Sequence, residues 1–313
     1  MPDFDILVAG EINPDLILSS PGLTVGFNQQ ETLIHDMKLA IGSSSAIFAC
    51  GAARLGLKVA MIGVIGDDLY GDFMVEALSE RGVDVSNVIR MSSLHTGISV
   101  ILNRGNDRAI LTYLGAINAL QADMISDNLL QRSRHLHVAS YFLQTALQPG
   151  LPDLFCRAHH LSLSTSLDTN WDPAGHWNSV DELLDLTDIF LPNETEAVLL
   201  SDAKIVDEAL AKLASRLPVI AIKQGPRGAI AQHGDVTSRV PALNVTIADT
   251  VGAGDSFDAG FMYGYLAGWS LERCLNLAIA CGSLSTRAYG GTDAQPTLEE
   301  AIQALNTIPP SEM

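Results

Sequence analysis

Short runs of apolar and β-branched residues alternate along this chain with longer stretches whose apolar positions follow a helical period. The short runs, Ile6–Ala9, Val59–Ile65, Leu136–Ala139, Ser164–Asp168, Ile189–Leu191 and Val219–Lys223, have the length and composition of buried strands. The longer stretches, Ala46–Leu55, Leu69–Arg81, Leu154–His160, Val180–Leu186, Glu194–Leu200 and Val206–Leu217, have the spacing of amphipathic helices. Such alternation builds βα units, so the expected fold class is α/β, a doubly wound, mainly parallel sheet flanked by helices. The last third closes in a helical layer, Ala253–Leu266, Leu271–Arg287 and Leu298–Leu305, punctuated by Gly268 and the Gly290-Gly291 pair.

Two stretches break the rhythm. Asp15–Ala40 holds strand-like pieces without a good helix, and Gly97–Leu114 reads as a hairpin turning through Arg104-Gly105-Asn106-Asp107. Either these are two ordinary surface hairpins, or they join into a small β-sheet lid over the carboxyl ends of the main strands, where open α/β sheets bind ligands. The expected organisation is one domain over 1–313, with the lid formed by about 12–40 and 94–115.

Composition narrows the class. Hydrophobic residues make up 47% and charged residues 17%, which describes a folded globular chain, and no apolar run is long enough to span a bilayer. The net charge of −18 argues against a nucleic-acid or anionic-membrane surface. The amino terminus, MPDFDILVAG, opens on a strand-like run without a basic region or cleavage site, so the expected location is cytoplasmic. Cys50, Cys156, Cys274 and Cys281 show no paired spacing and read as reduced, mostly buried thiols. His135 and His137 share a strand face but have no third ligand in register, which points to a structural use.

The candidate chemistry lies at Asp249-Thr250-Val251-Gly252-Ala253-Gly254-Asp255, which runs directly into an apolar helix. Small residues on a first helical turn leave backbone N–H groups uncovered, and such a terminus carries partial positive charge suited to a phosphate. Asp255 beside that phosphate would be placed to take a proton from an attacking hydroxyl. A tight turn with Asp255 as a helix cap explains the same residues. No Gly-Lys-Ser/Thr follows and no GxGxxG succeeds an early strand, so neither a P-loop nor a dinucleotide fingerprint is present.

The run Asp249–Met262, DTVGAGDSFDAGFM, resembles the carboxy-terminal signature of the ribokinase-like (PfkB-type) carbohydrate kinase family. Gly10-x-Ile12-Asn13-x-Asp15, the glycine segment at Gly42, Gly66-Asp67-Asp68 with Gly71, Asn193-Glu194-Thr195-Glu196 and Lys223–Gly228 follow in the family's order, so the resemblance spans almost the whole chain. It implies a ribokinase-like kinase in which Asp255 is the base and the N–H groups of Gly252, Ala253 and Gly254 form the anion hole. It further implies ATP and Mg2+ as cofactors, with Asn193 and Glu196 placing the metal and phosphates largely through water. Lys223, Gly225 and Gly228 resemble the loop that reaches the nucleotide, and Asn276, Ala280 and Ser283 resemble the adenine wall. Asp249, with carbonyls near Ala288–Thr292, resembles a site for a monovalent cation (K+). A capped helix at Asn193–Glu196, a hairpin turn at Lys223–Gly228 and a plain packed helix through Asn276, Ala280 and Ser283 account for those residues as well.

The resemblance places the acceptor among Asn13, Asp15 and Gly42, with Ser43 and Ser44 beside them. Here the pattern departs. Ser43 stands at the family's second glycine and Ile47 at its asparagine, which weakens the case for ribose without removing a polyol or hexose. Arg104 and Arg108 read either as solvated turn charges or as partners for an acidic sugar. The Asp168–Pro173 loop follows a strand end and approaches the same region. A nucleoside (adenosine-type) acceptor would need aromatic surface, which Phe27, Tyr113, Tyr141 and Phe142 offer. A non-catalytic sugar or nucleotide sensor is the alternative from another class. Lid strands of this family often pair across a homodimer, and the unpaired edges of a small sheet make that physically reasonable.

Overall fold

The structure, a computed structural model, describes residues 2–104, 107–178 and 180–306. Its main sheet has eight strands in the order β14-β13-β12-β11-β10-β9-β1-β4. Six are parallel: β1 (Phe4–Ala9), β4 (Val59–Ile62), β9 (Ser133–Val138), β10 (Ser164–Leu167), β11 (Ile189–Phe190) and β12 (Val219–Lys223). At one edge the hairpin of β13 (Ala229–His233) and β14 (Val236–Val240) continues antiparallel.

Alternation along each strand divides the core in two. Ile6, Val8, Met61, Ile189 and Val219 face α1 (Ser44–Arg54), α2 (Leu69–Glu80), α8 (Ala253–Leu266), α9 (Leu271–Ser285) and α10 (Leu298–Asn306). Leu7, Ala9, Leu136, Val138 and Ile220 face the opposite layer. That layer holds α3 (Asp127–Leu130), α4 (Leu151–His160), α5 (Asp181–Leu184), α6 (Glu194–Leu200) and α7 (Val206–Ala214). Both faces are covered, so β1, β4, β11 and β12 are apolar almost throughout, whereas β9 and β10 carry polar residues.

The α8 side of the sheet also carries a polar seam. His135 Nδ1 and Nε2 lie 2.7 Å from Ser164 Oγ and Ser166 Oγ, and His137 Nδ1 lies 2.7 Å from Ser166 Oγ. Burial holds both imidazoles below the usual histidine range, His137 at about 3. His137 stacks on Phe48 of α1, ring centroids 3.7 Å apart, so these histidines are packing elements, as their spacing indicates. The four cysteines are unpaired.

The Val59–Ile65 run, read as one strand, divides at Gly63: β5 (Val64–Gly66) leaves the main sheet and pairs with β6 (Ile89–Met91). The two irregular stretches join in a four-stranded sheet ordered β3-β2-β7-β8, from β2 (Pro14–Ser19), β3 (Asp36–Ile41), β7 (Ile98–Arg104) and β8 (Asp107–Tyr113). They meet through the parallel pairing of β2 with β7, Asp15 opposite Ser99. The expected turn at Gly105 and Asn106 lies outside the described residues. Among the described residues no helix is long and apolar enough to cross a membrane.

Candidate active site

The parallel strands end beneath a cleft, and polar residues follow them there. Glu11 comes after β1, Ser140 after β9, Asp168 after β10 and Asn193 after β11, while Lys223 is the last residue of β12. Above them stands the amino terminus of α8. Its cap is Gly252, left-handed at φ 70, and no side chain caps the helix. The terminus is therefore open to a ligand where Ser, Asp or Asn closes α1, α2 and α6.

Asp255 and Asp258, one turn apart on α8, bring their carboxylates together with that of Asp168, all within 4.8 Å of one another. Lys223 Nζ sits among them, 2.7 Å from Asp168 Oδ2 and 3.0 Å from Asp258 Oδ2. Burial opposes the lysine's charge, but Asp168, Asp258 and Glu196 outweigh it and hold the ammonium protonated. Burial likewise opposes Asp168, which Lys223 keeps below the usual carboxylate range. Burial pushes Asp258 well up, against Lys223 and with the charge of Asp168. Burial pushes Asp255 up to about 7, the Ser44 hydroxyl pulling against it and Asp168 adding to it.

Asn193 and Glu196 form a complete capping box on α6. Glu196 Oε2 accepts from Asn193 N at 2.8 Å, and Asn193 Oδ1 accepts from Glu196 N at 3.0 Å. Glu196 is buried, and burial with the nearby Asp168 raises its carboxyl to about 7.

On one side of the α8 terminus, a largely apolar cavity of about 510 Å3 is lined by Lys223, Gly225, Gly228, Ala253, Gly254, Phe257, Ile279, Gly282, Ser283 and Thr286. Ser283 is one of these lining residues. Asn276 and Ala280 are not among the described lining residues: Ala280 is fully buried in the core, and Asn276 Nδ2 donates to Glu272 O at 2.9 Å. The helix turns a neighbouring stripe to the cavity, Ile279, Gly282, Ser283 and Thr286, spaced three and four apart.

On the other side lies Asp15, a buried residue of β2 in the small sheet, its carboxyl raised to about 7 by burial, with Arg108 opposing and Asp249 adding. Gly42 is shaped to it: a Cβ there would stand 2.1 Å from Asp15 Oδ1. Asn13 is buried, and among the described residues its Nδ2 reaches only Pro14 O, at 3.4 Å. Ser43, left-handed at φ 68 where glycine would be unstrained, donates to Glu11 O at 2.6 Å and caps α1 through Ala46 N at 3.0 Å. Ile47 is buried against Gly252 and Gly291.

Asp249 is placed differently from a cation ligand. Its oxygens accept from Val251 N and Gly290 N, both at 3.1 Å, and Arg108 Nη1 stands 3.6 Å away. In the neighbouring loop Lys38 Nζ donates to Tyr289 O at 2.8 Å and to Asp293 at 2.6 Å. Two protein cations already balance this region, so its donor set does not fit a monovalent ion.

Several site residues carry no motif of their own. Glu11, 3% exposed, accepts from Ser45 N at 3.2 Å, from Ser45 Oγ at 2.5 Å and from Ser140 Oγ at 2.8 Å. Asn170 Oδ1 accepts from Ser140 N at 2.8 Å, Asn170 Nδ2 lies 3.0 Å from Ser44 Oγ, and Ser44 Oγ bonds Asp255 Oδ1. Only the position of Glu11 within the Gly10–Asp15 segment hinted at its place.

The family model for pfkB carbohydrate kinases matches residues 3–298. A ribokinase of Haemophilus influenzae is 29% identical over 308 residues, covering 96% of this chain and 98% of that one. A 2-dehydro-3-deoxygluconokinase of Bacillus subtilis is 31% identical over 277 residues, covering 82% and 84%. An E. coli protein assigned as a ribokinase II, solved with ATP and Mg2+, superposes with a TM-score of 0.88 at 23% identity, covering 97% of this chain and 100% of that one.

Proposed function

The chain belongs to the pfkB family of carbohydrate kinases and is such a kinase, and we propose that it transfers the terminal phosphoryl group of ATP to a hydroxyl of a sugar or sugar-like molecule. The observation that carries this reading is the uncapped terminus of α8, with Asp255 on its first turn, standing between an apolar cavity on one side and buried Asp15 on the other. The acceptor oxygen bonds to the terminal phosphorus as the bond from that phosphorus to its bridging oxygen breaks. ADP leaves, and the acceptor's proton passes to Asp255.

The residues fit the donor. The cavity beside Ile279 and Ser283 has the size and apolar lining for an adenine ring, Gly225 and Gly228 border it, and Gly252, Ala253 and Gly254 stand at the open helix terminus as the anion hole for the phosphate end, which the Ala253 N–H joins by leaving its long 3.4 Å contact with Thr250 O. The carboxylate-rich surroundings suit a hard divalent ion, with Glu196 and Asn193 holding Mg2+ through water, because their own groups are spent on each other. When bound, that ion neutralises charge on the transferring group. No step is assigned to a monovalent cation.

On the acceptor side Asp15, Asn13 and Gly42 meet the sugar, and the whole chain acts as one domain whose segments 12–40 and 94–115 close over it and exclude water. Ser43 and Ser44 shape this wall through Glu11 and Asp255. Met37, Ile110, Leu111 and Tyr113 of the small sheet are exposed, which supports a homodimer formed through that sheet, working in the cytoplasm. A nucleoside acceptor is the second reading. It is favoured by the edge-to-face series Tyr141, Phe142, Trp177 and Trp171 beside the Asp168 loop.

The test is ADP release with ATP, Mg2+ and a panel of sugars, acidic sugars and nucleosides. Turnover with a sugar, lost by about 10² to 10⁴ in Asp255→Asn, is expected. Ligand-induced rises in melting temperature without ADP from any acceptor would instead identify a sensor.

A further inference from the structure

The carboxylate of Asp255 is held by a hydroxyl whose hydrogen has one destination. Asn170 Nδ2 lies 3.0 Å from Ser44 Oγ, and an amide nitrogen can only donate. The Ser44 oxygen is therefore the acceptor in that contact, and its single hydrogen goes to Asp255 Oδ1. The orientation of the amide is itself fixed, because Asn170 Oδ1 accepts the Ser140 N–H at 2.8 Å. Ser140 is anchored in turn by its hydroxyl, which donates to Glu11 Oε1 at 2.8 Å.

The backbone at both ends of the Ser140–Asn170 contact is unusual. Ser140 and Asn170 are left-handed at φ 51 and φ 52, a region that asparagine enters readily but that is costly for serine. Both follow strand ends, β9 and β10, so the contact spans two loops at the carboxyl edge of the sheet.

We propose that Ser44 and Asn170 are positioning residues for Asp255, aiming the serine hydrogen at Oδ1 so that Oδ2 is the atom presented to the acceptor hydroxyl. The proposal rests on the reading of Asp255 as the base. It assigns Ser44 no part in carrying the proton onward, since the neighbour of its oxygen is an N–H that cannot accept one. It also gives a purpose to a serine at the start of α1.

Three variants test the arrangement. Ser44→Ala removes the hydrogen, and Ser44→Thr retains it. Asn170→Asp replaces the donor with an acceptor, so the Ser44 hydrogen is drawn away from Asp255. With D-ribose, 2-dehydro-3-deoxygluconate and adenosine as acceptors, kcat in Ser44→Ala is expected to fall by about 10²-fold with the KM for ATP little changed. Asn170→Asp should fall at least as far, and Ser44→Thr should recover most of the loss.

A second measurement does not depend on turnover. In protein labelled at the aspartate carboxyl carbon, the Asp255 signal, identified by its loss in Asp255→Asn, is followed by 13C NMR against pH. Asp168, Asp258, Lys223, Glu196 and Glu11 surround it in every variant. Its titration should move to higher pH in Ser44→Ala and Asn170→Asp and stay in place in Ser44→Thr. Unmoved titration in all three overturns the proposal even if no acceptor is phosphorylated. Shifted titration without turnover in the unmodified protein would leave the positioning intact and remove the proposed transfer to these three acceptors.

Discussion

Lys223 and Asp168 close a 2.7 Å ion pair across two strands that are not neighbours, β12 and β10, and the same ammonium reaches Asp258 at 3.0 Å. One cation thus ties the sheet to the helix that presents Asp255. Removing it leaves carboxylates buried without their partner. Lys223→Met is expected to lose about 3 to 5 kcal/mol of stability by urea unfolding, part of which returns when Asp168→Asn is added. A Lys223→Met protein as stable as the parent would show that the pair contributes nothing.

The raised carboxyl of Asp255 sets opposite trends for activity and stability. Burial is the main cause of its position at about 7, and an unfolded aspartate titrates near about 3.9. Between these values the folded state binds the extra proton, so this contribution to stability is complete below about 4 and lost as pH rises through about 7. Asp15 and Glu196, both raised to about 7 by burial, act in the same direction. The proposed base must be ionised, so kcat/KM should climb through about pH 7 while the unfolding free energy declines. A rate profile flat across that interval would remove Asp255 as the titrating base.

Gly42 offers a selective handle on the acceptor side. A methyl group there would meet Asp15 Oδ1 at 2.1 Å and Asp15 N at 2.9 Å, so the carboxylate must move. Gly42→Ala should raise the KM for the acceptor about tenfold or more and leave the KM for ATP as it was, read from paired saturation curves. An equal rise in both constants would mean that the two sides are not separable.

Lys38 and Arg108 lead to an expectation about salts. With their charges already at Tyr289 O, Asp293 and Asp249, turnover should be the same in potassium and in tetramethylammonium buffers at equal ionic strength. Lys38→Met should then introduce a requirement for potassium. Strong potassium activation of the unmodified protein would contradict this.

The layered fold was legible because its signals are local: the Ile6–Ala9 and Val219–Lys223 runs and the helical spacing of Val206–Leu217 each report their own element. The α8 terminus was legible for the same reason, since Gly252, Gly254 and Asp255 are contiguous. What stayed hidden depends on contacts between distant segments. Nothing near Asp168 announces Lys223, 55 residues on, and although the Asp168–Pro173 loop reads as approaching the acceptor, nothing in it marks Asn170 as the partner of Ser44, 126 residues away. The rotation of α9 was misread because Asn276 and Ile279 lie on adjacent stripes of one helix. Packing against α8, α10, β13 and β14 decides which stripe meets the cavity.

The two sides of the α8 terminus draw on different stretches of polypeptide. Asp15, Gly42 and all four strands of the small sheet come from residues before 115, whereas the residues lining the apolar cavity begin at Lys223. A genetic exchange confined to the first third could therefore retune one side while leaving the other untouched. Such a scaffold lends itself to diversification by recombination: hybrids joined after the Asp168 loop and Trp177, before β11, should inherit their acceptor from one parent and their handling of ATP from the other.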